Sequence, residues 1–271
     1  MRLSLPEHIV AIDWSGSATV AGQRRHIVMA SWRAGEVTLH SGYTRQEVGD
    51  WLLAEARKTP RMVVGFDFAF SFPAWFLRAQ GCRDVFALWQ LAATQGERWL
   101  SEGRAPFWGR PGQPRPEGHH GPQWLGFRRT DRALVAVNRA LHPSSPFQIG
   151  GAGAVGTGSI RGMPILERLH QGGFHVWPFQ PFALPVVFEI YPRLFTGPVV
   201  KSSLQERTAY LAQPRFRQLP APVLAAAAAS EDAFDALCSV LGLADQAEHL
   251  TQVTNELSDD ERLEGAIWQQ I

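Results

Sequence analysis

The apolar run Ile9-Val10-Ala11-Ile12 stops on a single acid, Asp13, and the chain then turns through Trp14-Ser15-Gly16-Ser17. This stretch constrains the fold more than any other. Four consecutive apolar residues of this kind form a strand buried on both faces, and the carboxyl end of such a strand is where an open α/β sheet presents side chains to a ligand. An acid before Trp-Ser-Gly also begins ordinary turns. Asp13 therefore gains its weight from the acids that follow it.

After Asp13, the segments His26 to Arg33 and Glu36 to His40 run apolar or alternate on either side of Ala34-Gly35, which is a hairpin signal. With the first strand they predict a three-stranded antiparallel meander. Thr44 is placed to cap a helix with apolar positions Val48, Trp51, Leu52 and Ala56, and Glu47 completes a capping box; the helix should end before Pro60. Met62 to Phe68 is a second buried strand, with Asp67 near its end. A short helix is expected after Pro73, a longer one over Val85 to Leu100, and further helices over Asp131 to Leu141 and Ile160 to His170. A short strand is expected at His175 to Trp177. Val186 to Tyr191 is a firmer strand and carries Glu189. Later helices are expected over Leu204 to Leu211 and over Glu231 to Leu243 with Ser230 as cap, followed by one or two acidic helices with no visible chemistry.

A chain of 271 residues that is 45% hydrophobic can bury a full core, and a net charge of +1 means that any basic binding surface has to be local. Two cysteines, Cys82 and Cys238, are too few for a disulfide framework or a cysteine-based zinc site. A cytoplasmic protein is expected, with no membrane partner, because no stretch approaches the roughly 20 apolar residues that span a bilayer.

Asp13, Asp67 and Glu189 lie in or at the ends of apolar strands, and Asp232 and Asp235 lie three apart, on one face, early in a helix. Two carboxylates about 4 Å apart repel by about 4 kcal/mol at an effective dielectric of about 20. A divalent cation removes that conflict. Magnesium or manganese takes oxygen ligands, and one or two such ions can stabilise the attacking and leaving oxygens of phosphodiester cleavage. Asp232 also has an ordinary explanation as an acid in the first turn of a helix.

Meander, helix, acid-bearing strand and late acid-bearing helix resemble the RNase H-like fold. Together AIDWSGS, GFDFAF, FEIYPRL and SEDAFDAL are similar to the domain of unknown function 429, a family of predicted RNase H-like nucleases, from about residue 8 to 243. The resemblance implies an α/β fold: a mixed sheet of an antiparallel three-stranded meander plus parallel strands, flanked by helices, with a large helical and loop insertion. It implies one domain over residues 1–271, with the insertion at about 78–175 and a C-terminal helical extension at about 245–271. It further implies catalytic, metal-holding roles for Asp13, Asp67, Glu189 and Asp235, with Asp232 as an auxiliary metal ligand, and a nucleic acid substrate.

Between Gly103 and Thr130 proline and glycine are dense, and Arg104, Arg110, Arg115, Arg128 and Arg129 alternate with Phe107, Trp108, Trp124 and Phe127. Such a loop should emerge near the acids as a lid or binding element, its arginines meeting phosphates and its rings stacking on bases. A packed plug with solvated arginines is the alternative. The glycine-rich run Gly151 to Gly156 lacks the setting of a dinucleotide fingerprint and has Thr157 where a P-loop needs lysine; it is either a phosphate cradle with Arg161 or a hinge. Ser15, Trp108, Arg128, Arg129 and Arg161 are thus the candidate substrate contacts. His119 and His120 can also touch a metal, but lack partners at ligand spacing.

The leading expectation is a metal-dependent nuclease. A noncatalytic RNase H-like interaction module and a nucleotide-binding phosphotransferase of the actin and sugar-kinase kind, which begins on a similar Asp-x-x-Gly turn, remain open beside it.

Overall fold

The computed structural model describes residues 5–116, 125–251 and 257–269. In chain order the elements are β1 (His8–Asp13), α1 (Val20–His26), β2 (Val28–Arg33), β3 (Glu36–Ser41), α2 (Arg45–Lys58), β4 (Met62–Phe66), α3 (Ala74–Ala79), α4 (Val85–Glu102), α5 (Arg129–Val137), α6 (Gly156–Gln171), β5 (His175–Val176), β6 (Val186–Glu189), α7 (Arg193–Thr196), α8 (Leu204–Leu211), α9 (Ala221–Ala229), α10 (Glu231–Asp245), α11 (Ala247–Leu250) and α12 (Asp259–Glu264). The fold is mixed α/β. No helix among the described residues is long and apolar enough to cross a membrane.

The chain forms two compact units, one within residues 1–67, 182–254 and 268–271 and the other within residues 68–181 and 255–267. The first holds five of the six strands found among the described residues, in the order β3-β2-β1-β4-β6. β1, β2 and β3 pair antiparallel, whereas β4 lies parallel to β1 and β6 parallel to β4. The turn between β2 and β3 uses left-handed backbone at Ala34 (φ 51°) and Gly35 (φ 89°), which matches the twist of the strands it joins. Thr44 and Glu47 form the expected capping box, and α2 stops at Lys58. Helix α1, where the sequence suggested none, has Gln23 facing inward and a basic end, Arg24-Arg25-His26. Its seven residues show no apolar period. Gly22 admits Ser17 against the helix, since a Cβ there would stand 2.0 Å from the Ser17 hydroxyl.

Helix α10 packs across β1, β2 and β4. Its seat is cut by two glycines: a Cβ on Gly65 would meet Leu243 at 2.9 Å and Ile190 at 3.0 Å, and a Cβ on Gly242 would meet the Phe195 ring at 2.1 Å. Gly242→Val should therefore destabilise the first unit by about 1–3 kcal/mol, because the ring has to leave a filled core position. Urea unfolding checks this; an unchanged midpoint would mean that Phe195 moves freely.

In the second unit α4 and α6 pack closely, with Ile160 over Gly96 and the Phe68 ring over Gly162. Phe72, Phe76, Trp99, Phe107 and Phe147 form an aromatic core with centroid separations of 4.9–6.4 Å. The C-terminal segment, expected to carry no chemistry, holds this unit together. Glu264 is buried; its Oε1 accepts the Ala74 N–H at 2.8 Å and its Oε2 the Arg129 N–H at 2.6 Å, at the starts of α3 and α5. A carboxylate at a helix start is favoured by the free amides and the helix dipole.

Candidate active site

β1 and β4 lie side by side, with Ile12 level with Phe66, so the next residue of each, Asp13 and Asp67, meet at the carboxyl end of the sheet. The Trp14 N–H donates to Asp67 Oδ1 at 2.8 Å, and the Asp13 and Asp67 carboxyls are close enough to shift each other's proton affinity. The following turn is held from α2: Arg45 Nη1 donates to the carbonyls of Ser15 at 2.9 Å and Ser17 at 2.8 Å. Ser15 is buried and its hydroxyl accepts the Ser17 N–H, so it closes the turn.

Ser230 caps α10 through the Ala233 N–H, which places Asp232 in the first turn and Asp235 one turn on. The helix lies over the face of the sheet to which Ala11, Asp13 and Gly65 belong, as the closeness of Leu243 to Gly65 shows. Asp235 is only 5% exposed. Its Oδ2 is ion-paired with the Lys201 ammonium, while its Oδ1 is buried with no hydrogen-bond partner. Asp232 accepts from or shares a proton with His26 Nδ1 at 3.1 Å.

Electrostatics ties these residues into one set. Burial, then the charges of Asp67, Asp235 and Asp232, push Asp13 well above the carboxylate range, against the pull of Lys201. Burial pushes Asp67 up to about 7, opposed by the Trp14 amide. Burial also raises Asp235, against Lys201. Asp13 and Asp67 are half-buried and Asp235 is buried, so water solvates these carboxylates poorly, and they repel one another; both effects favour the protonated form.

Glu189 stands elsewhere. It is level with Phe66 and hence with Ile12, and strand alternation directs its side chain to the face opposite Asp13 and α10. It is buried, and its backbone carbonyl accepts the Trp268 N–H at 2.7 Å. The five acids thus resolve into four clustered aspartates and one glutamate on the far face.

The proposed substrate contacts of the second unit are occupied by other groups. Arg128 is 1% exposed and forks onto Asp131, with Nε–Oδ2 at 3.1 Å and Nη2–Oδ1 at 2.8 Å, so it is not presented to a phosphate. Arg161 forks onto Glu97 at 2.7 and 2.8 Å. Arg129 is exposed and pairs with Asp260 at 3.1 Å. Trp108 is half-buried beneath the Arg115 guanidinium, 5.3 Å from its ring centre. The glycine-rich run proves to be a packing device: Trp108 bridges Gln148, and a Cβ on Gly150 would stand 2.5 Å from the Gly109 carbonyl. The Gly156 N–H, which would have faced a phosphate, donates to the Gln148 carbonyl at 2.9 Å. His119, His120 and Trp124 lie outside the described residues. Cys238 is buried on α10, as a core residue.

The cluster's donors are carboxylate oxygens, which suits a hard divalent ion, and the unpartnered Asp235 Oδ1 is an acceptor that such an ion would satisfy. Among the described residues no three histidine, cysteine or acid side chains are gathered at metal-holding spacing. Lys201, Arg193, whose charge also acts on Asp235, and His26 were the neighbours that sequence reasoning missed.

No family model, curated protein or solved structure matches this chain.

Proposed function

We propose that this protein is a metal-dependent phosphodiesterase that cleaves nucleic acid on an RNase H-like sheet. The observation that carries the reading is the cluster itself. Asp13 and Asp67 at adjacent strand ends and Asp235 on α10 all have their carboxyls pushed up by burial, and one buried Asp235 oxygen has no partner. The antiparallel meander followed by parallel β4 and β6 supports the RNase H-like assignment, as does the order of the acids along the chain.

Asp13, Asp67 and Asp235 would hold magnesium or manganese, with Asp232 at the rim where His26 meets it. When bound, the ion polarises a phosphoryl oxygen and lowers the pKa of water. The chain's own contribution is to fix the carboxylates: the Trp14 amide orients Asp67, Arg45 holds the turn after Asp13, and Lys201 holds Asp235. Partial burial of Asp13 and Asp67 and burial of Asp235 limit water around these groups and so strengthen their pull on a cation. The second unit's arginines lend little to the choice of polymer. The exposed basic end of α1 does more, because Arg25 is exposed beside His26, which touches Asp232.

The test is cleavage of single- and double-stranded DNA and RNA by purified protein with Mg2+, Mn2+ or EDTA. Cleavage should need the divalent ion and be lost in Asp13→Asn and Asp235→Asn, whose shape is kept and charge removed. Cleavage in EDTA, or undiminished cleavage by both variants, would sink the reading. Arg25→Ala should raise the KM for the cleaved polymer and flatten its dependence on salt, with kcat little changed, because a phosphate contact releases counterions. An unchanged salt slope would place the polymer elsewhere.

A further inference from the structure

Lys201 is one of two lysines in a chain with 24 arginines, and it is the one whose ammonium reaches the aspartate cluster. Its side chain is 24% exposed and that of its partner Asp235 7%, so the pair sits where charge is costly to leave unmatched. The loop that carries it is held at both ends. Arg193 Nη1 donates to the carbonyls of Gly197 at 2.9 Å and Val199 at 2.6 Å. Arg207, which is 5% exposed, donates to the Lys201 carbonyl and, at 2.9 Å, to the Ala228 carbonyl. Two guanidiniums thus fix the backbone of a short loop between α7 and α8, and the outcome is one ammonium set on one oxygen of Asp235. The other oxygen, Oδ1, is buried and lacks a partner.

We propose that the Lys201 ammonium is a built-in cation of the carboxylate site, standing in one of two cation positions so that the folded protein takes a single divalent ion. The inference rests on the metal-site reading above. Of the four aspartates Asp235 is the one paired with the ammonium. The Arg193 guanidinium acts on Asp235 through its charge while its Nη1 is spent on the Gly197 and Val199 carbonyls, and His26 meets Asp232 at the rim. Positive charge therefore falls short of the four carboxylates, and the uncovered Oδ1 marks the remaining position. An ammonium suits the role better than a guanidinium. It is a compact point charge, similar in reach to a hydrated ion, whereas the planar fork of arginine needs two aligned acceptors.

The experiment counts Mn2+ bound per full-length chain by titration calorimetry and by electron paramagnetic resonance of the free ion, for the wild type, Lys201→Arg and Lys201→Met. Lys201→Gln serves if the methionine variant does not fold. One ion is expected for the wild type and for Lys201→Arg, and two for the uncharged variants. In EDTA the uncharged variants should melt below the wild type, and saturating Mn2+ should close most of that gap. Two ions in the wild type, or one ion in wild type and uncharged variants alike, would overturn the inference while leaving the metal site standing. Should the wild type bind no Mn2+, the metal reading fails and the inference with it.

Discussion

Arg128→Met should cost about 3–5 kcal/mol of stability, because it strands the Asp131 carboxylate in the core of the second unit. The pair is bidentate and both residues are 2% exposed or less. Asp131 would keep the Arg128 backbone N–H at 2.9 Å, which is too little for a buried charge. Arg128 Nη1 also reaches the Glu264 carbonyl at 3.5 Å, so the loss extends to the segment that staples α3 and α5. Replacing both members, Arg128→Met with Asp131→Leu, should recover much of the loss, since an apolar pair of similar volume has no charge to strand. Urea unfolding of the two variants decides it. A fully stable Arg128→Met that has lost nucleic acid binding would restore Arg128 as a phosphate contact and refute its structural role.

The second large effect is a stability that falls with pH and that a divalent ion reverses. Asp67 titrates near 7 in the folded chain against 3.8 when unfolded, and Asp13 is also raised. Below about pH 4 both states hold these protons. As pH rises the unfolded chain releases them while the folded chain retains them, so stability is lost progressively until the folded Asp67 carboxyl ionises near pH 7, and the raised Asp13 carboxyl adds to the loss. Other groups act oppositely: Glu55 and Glu261 are lowered by their partners, and burial lowers His8 to about 4 and also lowers His40, so each of these favours the fold as pH rises. The readout is therefore the difference between the wild type and Asp67→Asn. That difference should amount to a few kcal/mol across pH 4–7, with the wild type relatively weaker at the alkaline end. Mn2+ has to displace the protons, so its stabilisation should be slight at pH 5 and large at pH 8, and Asp13→Asn should abolish most of it. Equal shifts by Mn2+ in wild type and Asp13→Asn would remove Asp13 from the site. A pH-independent difference between wild type and Asp67→Asn would mean that Asp67 is not held protonated in the fold.

Much of the fold was legible because local signals agreed with one another. The apolar runs at Ile9–Ile12, Met62–Phe66 and Val186–Phe188 became strands, Ala34-Gly35 the hairpin turn, and Thr44 and Ser230 helix caps. Each depends on neighbours within a few residues, where periodicity and backbone preference act. The acids of β1, β4 and α10 were visible for the same reason, since a charge that ends an apolar run contrasts with its surroundings. Helix α1 was not visible, because Gln23 faces inward and no apolar period marks it.

What tertiary structure alone decided is which charge meets which. Glu189 looked like Asp67 in sequence, but β6 pairs with β4 one residue out of step with the cluster, so alternation sends the glutamate to the other face. The candidate phosphate-binding arginines looked free, yet Asp131 and Asp260 take Arg128 and Arg129 of the long loop, and Glu97 takes Arg161 of α6. Glu264 lies 190 residues from Ala74, whose amide it caps. Lys201 precedes its partner by 34 residues and reaches it through a loop set by Arg193 and Arg207. Ion pairs over such separations leave no periodic trace in a sequence, because they depend on the register and packing of elements that must first be assembled.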